Sequence, residues 1–187
     1  MTFRTLGLVS LALALVAAPA PSRAAETTGK SLPATKAPAA TVQTLAGKTA
    51  QLSAVVAGKP SMLIFWATWC PSCRRQTPSF EAAQKRFASS GLQVVAVNIG
   101  IRDTLETVRD YVKGNALSYT VLFDPNQEAL TAYRVSGTPT VLLLDGSGEI
   151  VSRTSSVDTE AIEALLAGKP IPRQSPPAAA PRGSFSR

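Results

Sequence analysis

Ser61 to Thr68 (SMLIFWAT) carries no charge and places apolar side chains on both alternating faces of an extended chain. A strand with one wet face alternates polar with apolar residues, and a strand covered on both faces does not. This segment therefore predicts a central strand with packed layers on either side. Leu92 to Ile99 (LQVVAVNI) repeats the pattern and predicts a second. Between them the chain reads as one helix, from Cys70 or Pro71 to about Ser89, with Phe80, Ala83 and Phe87 on one face and a kink at Pro78. Upstream, TVQTLAGKTAQLS has short β-prone pieces around Gly47 and predicts a hairpin. Downstream, Asp103 with Glu106 reads as a capping box for a helix reaching Lys113. Asp124, Pro125 and Gln127 read as N-cap, N1 and N3 of a helix ending near Tyr133. TVLLLD, a GSG turn and EIVSRT predict an antiparallel hairpin, and Asp158 caps a last helix that Gly168 ends. Strands alternating with helices, with a late hairpin, point to an α/β sandwich with a mixed sheet.

The ends of the chain are of a different character. Arg4, the apolar run Leu6 to Ala18 and the small residues of SRA (Ser22 to Ala24) compose an export signal over residues 1–24, with cleavage expected after Ala24. An uncleaved anchor is the alternative, although the run is shorter than the roughly 20 residues that span a bilayer. Residues 25–40 read as a polar, Pro-containing linker and residues 169–187 as a Pro/Ala-rich disordered tail. Residues 41–168 remain as one domain, large enough to bury its own core. Export places it in the periplasm, where thiols tend to be oxidised.

Both cysteines of the chain, Cys70 and Cys73, fall where the first buried strand meets its helix, in FWATWCPSCRR (Phe65 to Arg75). The chain has no histidine. That excludes a Ser-His-Asp triad, a Cys-His pair and a c-type haem motif, since Arg74 follows Cys73. Two thiolates without an imidazole do not complete a tetrahedral zinc site within one chain. A structural staple is chemically admissible, but closing a loop of about four residues contributes only ~2 kcal/mol in the chain-entropy model. The net charge of +7 is scattered, without a basic run interleaved with aromatics, so no nucleic-acid partner is expected. A redox pair fits the placement. Cys70 at a helix N-terminus has free N–H groups and the helix dipole to favour a thiolate. Cys73 lies one helical turn on, within disulfide reach. Cys70 is thus expected to be the accessible nucleophile and Cys73 the resolving thiol, with Arg74 and Arg75 adding positive potential.

FWATWCPSC, followed much later by VSGTPT, resembles the thioredoxin superfamily, and specifically its exported TlpA/ResA-like branch of thiol-disulfide oxidoreductases. The likeness runs from about Thr41 to Ala167. It implies a thioredoxin-like fold, a mixed central sheet flanked by helices. To this are added an N-terminal β-hairpin extension and, over Asn98 to Tyr133, a helix-containing insertion. It implies a Cys70–Cys73 disulfide within a motif completed by Trp69, Pro71 and Ser72. It also implies a cis peptide bond at Pro139 beside the cysteines, with Thr138 offering backbone groups to a client. No cofactor or metal is implied. Family habit points to reduction of client protein disulfides, in cytochrome c maturation or copper-site assembly, with electrons from a membrane donor of the DsbD/CcdA kind. The alternative is a Cu(I)-binding metallochaperone using the same thiols. Two positions depart from the family. Ile64 stands where thioredoxin has a buried aspartate, and Gln76 where ResA-like proteins have a glutamate, so neither can take the resolving cysteine's proton. Gln76 itself reads equally well as an exposed helix residue.

Overall fold

The computed structural model describes residues 35–171; the expected export signal, most of the linker and all but the start of the tail lie outside them. Among the described residues, eight strands form one mixed sheet: β1 (Thr35–Lys36), β2 (Thr41–Thr44), β3 (Thr49–Gln51), β4 (Ser61–Trp66), β5 (Gln93–Asn98), β6 (Thr120–Phe123), β7 (Thr140–Leu144) and β8 (Glu149–Thr154). Their order across the sheet is β1-β8-β7-β4-β5-β6-β2-β3. β4, β5 and β6 run parallel, and β7 is antiparallel to β4. The hairpins β2–β3 and β7–β8 complete the two sides.

Every residue of β4 is buried, as its unbroken apolar pattern requires. Met62, Leu63, Ile64 and Phe65 are wholly inaccessible to solvent. At roughly 1.5–3 kcal/mol for each large side chain removed from water, this strand is the main anchor of the core. Ile64 sits in its middle, paired with Ala96 on one side and Val141 on the other.

Among the described residues, five α-helices connect or cover the strands: α1 (Leu52–Val55), α2 (Pro71–Phe87), α3 (Leu105–Gly114), α4 (Glu128–Ala132) and α5 (Thr159–Leu166). α2 buries Phe80, Ala83 and Phe87 along one face. It continues through Pro78, which costs one backbone hydrogen bond but not the helix. Asp158 caps α5 by accepting from the Ala161 amide, as its position before an apolar run predicts. Gly47, with φ of 80°, makes the β2–β3 turn in a conformation that side chains disfavour.

Three local expectations are overturned. α3 is capped by Thr104, not Asp103: Thr104 accepts from the Thr107 amide at 3.2 Å, and the Thr107 hydroxyl accepts in return from the Thr104 amide at 2.9 Å. α4 starts at Glu128, with Gln127 left-handed at its N-cap rather than at N3. Asp124 reaches past Pro125 to the Leu130 amide at 2.9 Å, so it serves the same helix from further back. Finally, Thr35–Lys36 pair with Ile150 and Glu149 of β8, and Ala40 is buried. The ordered fold therefore extends into residues 35–40, which read as linker because two residues of edge strand leave no periodic signal.

Candidate active site

β4 ends at Trp66, and the chain turns through Ala67, Thr68 and Trp69 before Cys70 opens α2. Cys70 is the N-cap, in extended backbone conformation, with Pro71 as the first helical residue. Proline suits that place because its missing N–H has no intrahelical acceptor there. The Cys70 sulfur accepts from the Cys73 amide at 3.2 Å, and the Cys70 carbonyl accepts from the Arg74 amide at 3.1 Å. Cys70 and Cys73 are joined in a disulfide. An amide aimed at the sulfur from a helix start favours the charged form of the reduced thiol.

Facing them is the turn before β7. The Thr138–Pro139 peptide bond is cis, and the Thr138 carbonyl oxygen lies 3.4 Å from the Cys70 sulfur. A disulfide sulfur carries no proton, so this is a packing contact here; a thiol at Cys70 could donate across it. Thr140 closes the turn by donating its hydroxyl to the Gly137 carbonyl at 2.7 Å. Trp69, Cys70, Pro71, Ser72, Cys73, Thr138 and Pro139 thus meet at one place, although some 65 residues separate the two halves.

Accessibility does not distinguish the thiols as the sequence suggests. Cys70 is 3% exposed and Cys73 2% in the disulfide form. Their asymmetry is positional instead, because Cys70 faces Thr138 from the helix cap while Cys73 lies inside the first turn. Gln76 is half-buried rather than exposed. Its amide donates to the Ser155 carbonyl at 2.8 Å, tying α2 to the loop after β8, and its side-chain oxygen is buried without a partner. Arg74 and Arg75 are exposed, and Arg75 reaches the Ser72 hydroxyl at 3.3 Å.

The residue that sequence reasoning misplaced is Asp103. Its carboxylate is buried and accepts from the Thr68 amide at 2.9 Å, from the Thr68 hydroxyl, and from the Asn98 side-chain amide at 2.7 Å. Asn98 in turn accepts from the Gly100 amide at 3.0 Å. A second tie runs beside the first: the Trp69 indole donates to the Ile101 carbonyl at 2.6 Å. Together they bind the turn that carries Cys70 to the loop leaving β5. Gly100 makes that loop possible, since a Cβ there would lie 2.1 Å from the Asp124 carbonyl oxygen and its φ is 69°. Adjacent Asp and Thr are both good cap residues, so spacing alone could not reveal which one turned away from the helix.

A mixed sheet whose central strand delivers a Cys-x-x-Cys disulfide to a helix cap, opposite a cis-proline turn, defines a thioredoxin-like fold. The chain belongs to the AhpC/TSA family, whose model matches residues 33–153. It is 34% identical over 116 residues to the thiol-disulfide oxidoreductase ResA of Bacillus subtilis, covering 62% of this chain and 63% of that one. It is 31% identical over 94 residues to the sporulation thiol-disulfide oxidoreductase A of the same organism, covering 50% and 57%. The chain thus matches less than two thirds of the length of either relative. Among solved structures, a thiol:disulfide interchange protein of the thioredoxin family from Chlorobium tepidum superposes with a TM-score of 0.61 at 28% identity, covering 73% of this chain and 99% of that one.

Proposed function

We propose that this protein is a thiol-disulfide oxidoreductase of the ResA type, acting on protein disulfides outside the cytoplasm. The observation that carries the reading is Cys70 at the cap of α2, with the Cys73 amide on its sulfur and the Thr138 carbonyl opposite. In the reducing direction the Cys70 thiolate attacks a client disulfide, forms a mixed disulfide and releases one client thiolate. Cys73 then loses its proton and attacks the Cys70 sulfur, forming the Cys70–Cys73 disulfide and releasing the second client thiolate. Two electrons pass to the client, and the Cys73 proton goes to the departing thiolate or to water. Thr138 serves as the backbone partner for the client chain next to the reacting sulfurs. Reductant polarity, a membrane thiol donor of the DsbD/CcdA kind and clients in cytochrome c maturation or copper-site assembly are the finer parts of the proposal. Likeness to proteins named thiol-disulfide oxidoreductase ResA and thiol:disulfide interchange protein supports the exchange chemistry itself. The finer parts rest on the family resemblance of the sequence, and the signal-like N-terminus supports export and a periplasmic location.

The reduced protein should reduce insulin catalytically, and Cys70→Ser should abolish the activity. In the exported compartment, Cys73→Ser should accumulate mixed disulfides with clients and Cys70→Ser few. Equal trapping by both variants would reverse or remove the division of roles. A parallel Cu(I) titration tests the metallochaperone alternative. Tight one-to-one binding without insulin reduction would favour it.

A further inference from the structure

Around the disulfide, three exposed arginines lack carboxylate partners. Arg102 lies over the Trp69 ring, its guanidinium carbon 4.2 Å from the centroid. Its backbone is left-handed, with φ of 55°, a conformation uncommon for a residue with a side chain. Both neighbours hold it there: the Ile101 carbonyl accepts from the Trp69 indole, and the Asp103 carboxylate is bound by Thr68 and Asn98. The Arg102 side chain is thus set against the active-site tryptophan, yet Arg102 is exposed. A guanidinium seated over an aromatic ring and exposed to solvent retains N–H donors for a carboxylate.

Arg74 and Arg75 add two exposed guanidiniums in the first turn of α2, which contains no acidic residue. Among the described residues the one ion pair is Arg86 with Glu163, so none of the three arginines is neutralised by a carboxylate. Asp103, next in sequence to Arg102, is buried and bound by three donors. Glu106, exposed in the first turn of α3, bonds to none of the three. Unpaired arginines set against the reacting turn, with a helix N-terminus of the same sign, complement a segment of negative charge.

We propose that Arg102 stacked on Trp69, together with Arg74 and Arg75, forms a client-docking surface that selects protein segments bearing Asp or Glu beside the target cysteine. This rests on the oxidoreductase function proposed above and gives it a substrate preference. The Arg102 edge binds a client carboxylate while the client backbone lies along Thr138. Arg74 and Arg75 raise the encounter rate through their longer-range field.

Three disulfide-bonded peptides that differ only in Glu, Gln or Lys next to the cysteines provide the test. Each peptide's rate with the reduced protein is divided by its rate with dithiothreitol, which removes the intrinsic effect of charge on disulfide reactivity. The Glu peptide should exceed the Gln peptide about three- to ten-fold at low salt, and the Lys peptide should fall below both. Screening at high salt should pull the ratios toward one. Arg102→Gln should shrink the Glu-to-Gln ratio, and Arg102→Lys should restore it only in part, because lysine lacks the planar fork. Equal normalised rates for the three peptides, or ratios indifferent to salt and to Arg102→Gln, overturn the docking surface while the oxidoreductase function stands. If the protein reduces none of them, that function fails. Docking is then decided by equilibrium binding of the same sequences with serine for cysteine: tighter, salt-sensitive binding of the Glu peptide upholds it, and equal binding overturns it.

Discussion

Asp103 and Tyr133 are opposite cases of a buried polar side chain. Asp103 is fully engaged, and removing it leaves the Thr68 amide and the Asn98 amide without their acceptor. A buried donor stripped of its partner costs about 1–3 kcal/mol. Asp103→Ala is therefore expected to lower stability by that order and to slow disulfide exchange, because Thr68 lies two residues from Cys70. Thr104→Ala, which removes only the α3 cap, should cost about 1 kcal/mol and change the exchange rate far less. Urea melts and insulin-reduction rates of both variants separate the two residues. The Tyr133 hydroxyl, by contrast, is buried with no partner, and burial pushes its pKa up to about 12. Its ring packs against Phe65 at 5.3 Å between centroids. Tyr133→Phe keeps the ring and removes an unsatisfied group, so its melting temperature should equal or exceed the wild type's. A clear loss would mean that the hydroxyl has an acceptor.

At the scale of elements, α2 binds the redox site to the core at one end and along one face. Phe80 is 2% exposed, and Phe80→Ala should cost about 3–5 kcal/mol, read from denaturant unfolding. Gln76 supplies a further brace, to Ser155. Gln76→Glu would set a carboxylate against the Ser155 carbonyl and replace a hydrogen bond by repulsion, while adding negative charge on the helix that carries both thiols. The variant is expected to be less stable and to show thiol alkylation shifted to higher pH. Superimposable alkylation curves would leave Gln76 with a purely bracing part. The start of α2 was legible because Cys-Pro after an apolar strand marks a cap and first turn. The starts of α3 and α4 were not, because Asp103 and Asp124 each resemble a cap locally and are engaged by other partners in three dimensions.

For the molecule as a whole, Asp124 links stability to pH. It is wholly buried and one of its oxygens has no partner. Burial raises its pKa above the ordinary aspartate range, and the amides of Leu130, Glu128 and Ala129 offset this only in part. A carboxyl whose folded pKa is raised holds its proton more tightly in the folded state. Its ionisation therefore costs stability as pH rises through and above the unfolded value. Asp124→Asn removes that cost and should raise the urea midpoint at neutral pH. The gain should shrink as pH falls below the carboxylate range, where the wild-type group is protonated in both states. A gain that persists unchanged at acid pH would trace to something other than this ionisation.

The apolar-rich segments Ser61 to Thr68 and Leu92 to Ile99 were enough to establish two buried central strands, since burial on both faces is what tolerates such a pattern. The Cys-Pro-Ser-Cys junction was enough to locate the redox pair, because residues three apart at a helix start are neighbours whatever the rest of the chain does. These determinations are local, and the chain contains them without folding. Placing Thr138 3.4 Å from Cys70, Asp103 under Thr68 and Arg102 over Trp69 required the strand order β7-β4-β5. That order brings together loops that end and begin far apart in sequence. Polar contacts of this kind leave no periodicity behind, because a side chain chooses among caps, loops and buried acceptors by whichever donor the assembled sheet presents.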